Sequence, residues 1–233
     1  MRGATQAATF LAGAAALHSA PALSWFFPAT KRFLPTLMGV RPAGEVAITF
    51  DDGPDPVSTP LVLDLLARNE VKATFFMLGD MAKRHPDVAR AVAEGGHQVG
   101  VHGLYHRNAL FRSYPTIGYD LERGKSLVEE SSGQAVHLMR PPYGVLSTAM
   151  LVHARRLDLR PLLWTSWGRD WRAAATRQSI VSDLVRHGID GGTILLHDSD
   201  CTSAPGSTHA MLEALEELLA LIQARGLRTM PAG

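Results

Sequence analysis

Short apolar runs alternate with amphipathic segments from Glu45 to the C-terminus, and this alternation constrains the fold more than any other feature of the chain. The apolar runs have strand length, and the segments between them repeat apolar residues at helical spacing. The predicted strands are 46–50, 73–78, 97–101, 136–139, 161–164, 192–196 and 227–230. The predicted helices are 58–68, 80–94, 116–131, 147–157, 178–187 and 207–224. This order predicts an α/β domain with a parallel sheet, and the pattern alone fits an open sheet and a closed barrel equally well.

The size and composition of the chain suit one folded domain. A length of 233 residues is ordinary for a single α/β barrel, so we expect one domain over 45–233. The formal net charge of +1 offers no electrostatic attraction for nucleic acid, and we expect no nucleic-acid partner. The single cysteine, Cys201, excludes an intramolecular disulfide. No feature of the sequence predicts an oligomeric state.

Residues 1–44 precede the alternation, and we interpret them as an N-terminal helical leader or packing segment. Arg2 stands before an Ala-rich stretch from Ala4 to Leu17, and the residues after it resemble a small-residue cleavage site. Two interpretations stand: a helix packed on the domain, and a signal peptide or weak membrane anchor. The first implies a cytoplasmic or membrane-associated protein, and the second implies export to the cell envelope. Weak membrane association through this segment is therefore one expectation.

Ionisable side chains follow most of the predicted strands at the point where each strand ends. Asp51 and Asp52 follow the first strand, His102 and His106 follow the third, Arg140 follows the fourth, Asp170 comes after the fifth, and His197 follows the sixth. The carboxyl ends of parallel strands converge on one face of a barrel or sheet. We therefore expect these side chains to share one site.

Two histidines and a carboxylate form a ligand set that suits a divalent cation and leaves positions open for water and substrate. His102 and His106 have the spacing that presents two imidazoles to one cation in a helical or tightly turned segment. Asp51 and Asp52 are neighbours that point in different directions, so one suits metal binding and the other proton transfer. The alternatives are a turn rich in Asp, Gly and Pro and two ordinary surface histidines.

Two further groups suit the chemistry around such a cation. Arg140 can hold a carboxylate by paired hydrogen bonds, and the two prolines after it stiffen a loop that can direct a backbone N–H at an oxyanion. Asp170 beside His197 would keep the imidazole protonated, as a general acid requires. The alternatives are a structural loop and a core histidine.

These residues together resemble the NodB-homology polysaccharide deacetylases, carbohydrate esterase family four. The resemblance covers the chain from about Val46 to the C-terminus, and its five motifs occur in order. They are Thr49-Phe50-Asp51-Asp52-Gly53-Pro54, His102-Gly103-Leu104-Tyr105-His106, Arg140-Pro141-Pro142-Tyr143, Asp170-Trp171 and Leu195-Leu196-His197. The resemblance implies a distorted (β/α) barrel of seven parallel strands.

The resemblance also implies roles for individual residues. Asp52, His102 and His106 would bind a divalent metal, with zinc expected first and cobalt, nickel or manganese as alternatives. The catalytic set would be Asp51 as the base, Arg140 to orient it, the Tyr143 backbone N–H in the oxyanion hole, and His197 as the acid tuned by Asp170. Trp171 would line the substrate groove and Leu195 the acetyl pocket. Trp167, which departs from the family pattern, would add to an aromatic substrate-binding site. The implied activity removes an N-acetyl or other N-acyl group from an amino sugar or a glycan that contains one.

Two positions depart from the family pattern. Gly103 stands where Ser or Thr is usual, and Trp167 stands where an aspartate usually begins the fourth motif. These departures leave three other functions to consider: an amide hydrolase acting on a cyclic imide or ureide, a deacylase of a lipid-linked sugar, and a non-catalytic binding protein. The base and acid candidates argue against the third, because a binding module needs no acid–base pair.

Overall fold

A computed structural model describes residue 6 and residues 12–13, 15–22 and 30–233. Its strands are β1 (Glu45–Asp51), β2 (Thr74–Met77), β3 (Gln98–Val101), β4 (Leu138–Met139), β5 (Arg160–Pro161), β6 (Ser166–Trp167), β7 (Gly192–His197) and β8 (Arg228–Thr229). Its α-helices are α1 (Thr30–Phe33), α2 (Ser58–Arg68), α3 (Gly79–Arg84), α4 (Pro86–Glu94), α5 (Tyr114–Ser132), α6 (Thr148–Arg156), α7 (Arg177–His187) and α8 (Ser207–Ala224). Single 3₁₀ turns occupy Ala109–Phe111 and Pro142–Gly144.

Seven parallel strands form one continuous path in the order β5-β4-β3-β2-β1-β7-β6, which confirms the predicted barrel type. β8 lies off this path and pairs with the first residues of β1. Strand β1, which pairs with β2 on one side and β7 on the other, is buried along nearly its whole length, because helices cover the outer face of the sheet while side chains fill the interior. The path ends at β5 and β6, which follow each other closely along the chain.

The seven strands of the path differ by one member from those expected. β6 was not predicted, because two residues are too few to show an alternating pattern. The strand expected at 161–164 is confined to Arg160–Pro161, and Asp170 therefore follows β6 rather than the fifth strand. The final predicted strand corresponds to β8, beside the path.

The helix predicted from Asp80 to Glu94 is two helices. Pro86 lacks a backbone N–H, and its ring disfavours helical geometry in the residue before it, so α3 ends at Arg84 and α4 begins at Pro86. Leu78 occupies the N-cap position of α3, and Asp80 lies in its first turn, paired with Arg84. The other helices differ from prediction by at most two residues at each end.

Residues 34–44 pack along the barrel before β1 begins. The Leu163 N–H donates to the Leu37 carbonyl (2.7 Å), the Thr193 hydroxyl donates to the Gly39 carbonyl (2.7 Å), and Met38 is buried. Most of the Ala-rich stretch lies outside the described residues. Among the helices that are described, none combines the length and the apolar character needed to cross a bilayer.

Candidate active site and metal centre

Asp52 lies at the carboxyl end of β1, where the chain leaves the strand with a left-handed backbone (φ 79°). Its carboxylate is fully buried, and Oδ1 lies 3.5 Å from His102 Nε2 and 3.7 Å from His106 Nε2. The three ligand atoms all lie within 4.8 Å of one another. The structure thus brings together the three predicted metal ligands, from the ends of β1 and β3.

The Asp52 Oδ1 atom provides a test of whether a cation suits this position. It is buried and has no hydrogen-bond partner among the described residues. An unsatisfied buried polar atom costs about 1–3 kcal/mol, and more when the group is charged. A divalent cation between this oxygen and the two imidazoles would remove that cost, so the residues present fit a metal ion.

The two histidines have the protonation states that a metal ligand needs. The His102 Nδ1 atom lies 2.8 Å from the Arg140 carbonyl, so it carries the proton and leaves the Nε2 lone pair toward Asp52. Burial lowers the pKa of His102 to about 3, although the charge of Asp52 acts in the opposite direction. Burial also lowers the pKa of His106. Both imidazoles are therefore neutral at physiological pH and available to a cation.

Thr202 completes the surroundings of Asp52 and was not predicted from sequence. Its hydroxyl donates to Asp52 Oδ2, and the two residues are 150 positions apart. This bond holds one carboxylate oxygen while the other faces the histidines. Metal-binding carboxylates are commonly held in this way by a neighbouring donor. Thr202 carries no sequence signal, because it lies in a loop after β7 among other small polar residues.

Asp51 and Arg140 form a buried ion pair beside the metal ligands. Arg140 Nη1 lies 2.8 Å from Asp51 Oδ1 and also donates to the Thr49 hydroxyl (2.7 Å). The other guanidinium donors reach the carbonyls of Leu162 (3.1 Å) and Leu163 (2.9 Å). The expectation of paired hydrogen bonds to one carboxylate is therefore wrong, because backbone carbonyls take the remaining donors. Asp51 Oδ2 instead lies 3.7 Å from His102 Nε2.

The half-buried His197 and the buried Asp170 form a second ion pair. The His197 ring Nδ1 lies 3.0 Å from Asp170 Oδ1, and the His197 backbone N–H donates to Asp170 Oδ2 (2.7 Å). Burial by itself would lower the pKa of His197, but the charge and hydrogen bond of Asp170 outweigh it and raise that pKa to about 10. The imidazole is therefore protonated at neutral pH, with Nε2 as the second donor. Asp51 and His197 are directly opposite each other in the β1–β7 register.

One cavity of about 210 Å³ connects these groups. Its lining combines candidate catalytic residues with an aromatic wall, and consists of Asp51, His102, His106, Tyr143, Gly144, Trp164, Trp167, Trp171, Leu195, His197, Thr202 and Ser203. Asp52, Arg140 and Asp170 are not in the lining and lie behind it. Tyr143 has a left-handed backbone (φ 60°) and is largely exposed, with its ring 4.3 Å from the His106 ring.

The aromatic wall includes the position that departs from the family pattern. Trp167 packs between the other two indoles, 5.8 Å from Trp164 and 5.9 Å from Trp171 between ring centroids. Its Nε1–H donates to His187 Nε2 (3.1 Å) on α7. Trp171 in turn packs edge-on against the His197 ring at 5.5 Å. The predicted substrate-binding residues therefore lie together beside the candidate acid.

Asp198 is a further buried carboxylate that was not predicted from the sequence. It accepts hydrogen bonds from the Gly53 N–H (3.1 Å) and the Thr59 hydroxyl (2.6 Å), and so holds the loop that follows Asp52. Burial raises the pKa of Asp198 to about 7. Its position directly after β7 is the same signal that singled out His197, so the strand-end criterion could have found it.

The strand ends of this parallel barrel bring two histidines and two carboxylates beside a histidine–aspartate pair. This arrangement is typical of the class of metal-dependent hydrolases. The family profile described as polysaccharide deacetylase matches residues 39–162. A chitooligosaccharide deacetylase of Azorhizobium caulinodans is 32% identical over 193 residues, covering 80% of this chain and 91% of that protein. The chain belongs to the polysaccharide deacetylase family.

Two further relatives agree with this assignment. A peptidoglycan-N-acetylglucosamine deacetylase of Bacillus cereus is 38% identical over 156 residues, covering 66% of this chain and 72% of that protein. The crystal structure of the Bc1960 peptidoglycan N-acetylglucosamine deacetylase, in complex with an N-hydroxybenzamide, superposes with a TM-score of 0.79 at 26% identity. That match covers 88% of this chain and 94% of the other.

Proposed function

We propose that this protein is a zinc-dependent N-deacetylase that releases acetate from an amino-sugar-containing glycan. The observation that carries the proposal is the pairing of Asp51 and His197 across β1 and β7 beside the Asp52 carboxylate. A proton acceptor and a proton donor then flank one candidate cation site inside a single cavity. The names of the relatives support an acetylated amino sugar as substrate, since they are chitooligosaccharide and peptidoglycan deacetylases.

Asp52, His102 and His106 would hold the metal. A zinc ion bound there would lower the pKa of water and polarise the amide carbonyl of the substrate. Two neutral imidazoles and one carboxylate form a ligand set that zinc accepts in catalytic sites. Cobalt, nickel and manganese are the other ions that this set admits.

The remaining residues move protons and hold charge. Asp51, kept in place by Arg140, accepts a proton from the attacking water. The backbone N–H of Tyr143 donates to the oxyanion that develops on the carbonyl oxygen. His197, protonated because of Asp170, delivers its proton to the departing sugar amine, and the products are acetate and a free amino sugar.

The experiment that tests the proposal measures acetate release from chitooligosaccharides and from peptidoglycan, with added zinc and with a chelator. Asp51→Asn should abolish turnover and leave bound zinc near one ion per chain, because Asp51 is not among the three ligands. Asp64→Asn is the matched control, since Asp64 is an exposed carboxylate on α2. Full activity of Asp51→Asn would refute the role of the base. Turnover of cyclic imides in place of both glycans would refute the substrate.

A further inference from the structure

The loop 103–105, which joins the two candidate metal histidines, is held from two sides. On one side, the first turn of α3 donates to it: the Gly79 N–H reaches the Gly103 carbonyl (2.9 Å) and the Asp80 N–H reaches the Leu104 carbonyl (3.1 Å). On the other side, the Leu104 N–H donates to Asp120 Oδ2 on α5 (3.1 Å). Leu104 is the midpoint of the loop, two residues from each histidine.

Asp120 is a buried carboxylate that plays no part in the chemistry described above. Its relative exposure is 8%, and it is neither in the lining of the cavity nor among the metal ligands. Its other oxygen lies 3.9 Å from Arg112 Nη1. Burying a carboxylate is costly unless it makes compensating contacts. For Asp120, those contacts include the Leu104 N–H of the loop 103–105.

Glycines allow α5 to approach this loop closely. Gly103 has φ +94°, and a Cβ there would lie 2.9 Å from Asp120 Oδ2. A Cβ on Gly124 of α5 would lie 2.7 Å from the Gly103 carbonyl carbon. A side chain at residue 103 would therefore crowd the carboxylate oxygen that accepts from the Leu104 amide. This contact gives a physical reason for the glycine at that position.

The two histidines differ in how much they depend on this contact. His102 is held independently, by its ring bond to the Arg140 carbonyl and by its backbone N–H to the Met77 carbonyl (2.8 Å). His106 lies beyond the loop, and its ring packs against the largely exposed Tyr143. Release of the loop at Leu104 would therefore displace His106 more than His102.

We propose that Asp120 is a positioning residue that sets the metal affinity of the site by fixing His106 relative to His102. The inference rests on the metal site of the proposed function. Outer partners of metal ligands typically change metal affinity about 10-fold to 100-fold when they are removed. Asp120→Ala should raise the zinc dissociation constant within that range, because it removes the acceptor for the Leu104 amide.

The experiment measures zinc dissociation constants by competition with a chromogenic chelator, and melting temperatures of the metal-free proteins. Asp120→Asn should recover most of the affinity, since its amide oxygen can still accept from Leu104. Asp120→Ser is a second variant whose side chain is too short for that bond, and it covers the case in which Asp120→Ala does not fold. Asp183→Ala is the matched control: Asp183 is also buried, on α7, against arginines far along the chain from the histidines. It should lower the melting temperature and leave zinc affinity unchanged.

His106→Ala separates the two proposals. If wild type and His106→Ala bind zinc equally, the metal site itself is wrong. If His106→Ala loses zinc while Asp120→Ala and Asp120→Ser bind it as wild type does, the site stands and the role of Asp120 is refuted. Activity at saturating zinc should return to near the wild-type kcat in the Asp120 variants, because the residue touches no reacting atom.

Discussion

Arg140 is the largest fully buried side chain among the residues that the structure describes, and its replacement offers a sharp test of how the site is held. Arg140→Met replaces the apolar stem of the side chain and removes the charge and every donor. Asp51 would then be a buried carboxylate without its cation, and the Leu162 and Leu163 carbonyls would lose their donors. Removing one partner of a buried ion pair typically costs about 3–5 kcal/mol. We expect a loss of unfolding free energy of at least ~3 kcal/mol.

The structure also predicts an asymmetry within the pair. Asp51→Asn should cost less than Arg140→Met, because Arg140 would keep its bonds to the Thr49 hydroxyl and to two backbone carbonyls. The double variant should lose less than the sum of the two single losses, since no unpaired carboxylate is left in the interior. The difference between that sum and the loss of the double variant measures the interaction between Arg140 Nη1 and Asp51 Oδ1, which lie 2.8 Å apart.

The assay is urea denaturation of the metal-free proteins followed by circular dichroism. Arg68→Met is the control, because Arg68 pairs with Asp64 at 3.4 Å on the exposed face of α2. Exposed helix pairs are worth roughly 0.3–0.5 kcal/mol, so that variant should stay close to wild type. The argument from burial is wrong if Arg140→Met has the same urea midpoint as Arg68→Met. It is also wrong if the losses of the Arg140→Met and Asp51→Asn single variants add up to the loss of the double variant.

Two further predictions concern pH in the metal-free protein. The pKa of His197 is raised to about 10, so its stabilising contribution is fully present below pH 6.5 and is lost as pH rises through about 10. Asp170→Asn should remove that alkaline loss. If the free energy of unfolding depends on pH in the same way for wild type and Asp170→Asn between pH 6 and 10, the assignment of the raised pKa to the His197–Asp170 pair is wrong. The pKa of Asp198 is raised to about 7, so the native state binds an extra proton between about pH 4 and 7. Because of this group, the free energy of unfolding falls as pH rises through that range. Asp198→Asn should flatten the fall, and urea midpoints across that range should then lie closer together than in wild type.

Sequence patterns that act over a few residues determined the class of fold and most of the candidate site. Strand–helix alternation indicated a parallel sheet, because a strand and its covering helix each carry their own apolar period. The placement of Asp51, His102, Arg140 and His197 directly after strands indicated a shared site, since parallel strands all end at the same face. Both inferences need only local order and the direction of the chain.

Tertiary structure decided the features that depend on contacts between distant residues. The Thr202 bond to Asp52 spans 150 positions and the Asp198 bond to Gly53 spans 145, so neither leaves a periodic signal in the sequence. The single contact between Arg140 and Asp51 follows from the Leu162 and Leu163 carbonyls, which approach the guanidinium only when the sheet has curled. The curl of the sheet sets these distances. The order of residues along the chain therefore identifies the candidate ligands, whereas the packing of the sheet determines how they are oriented.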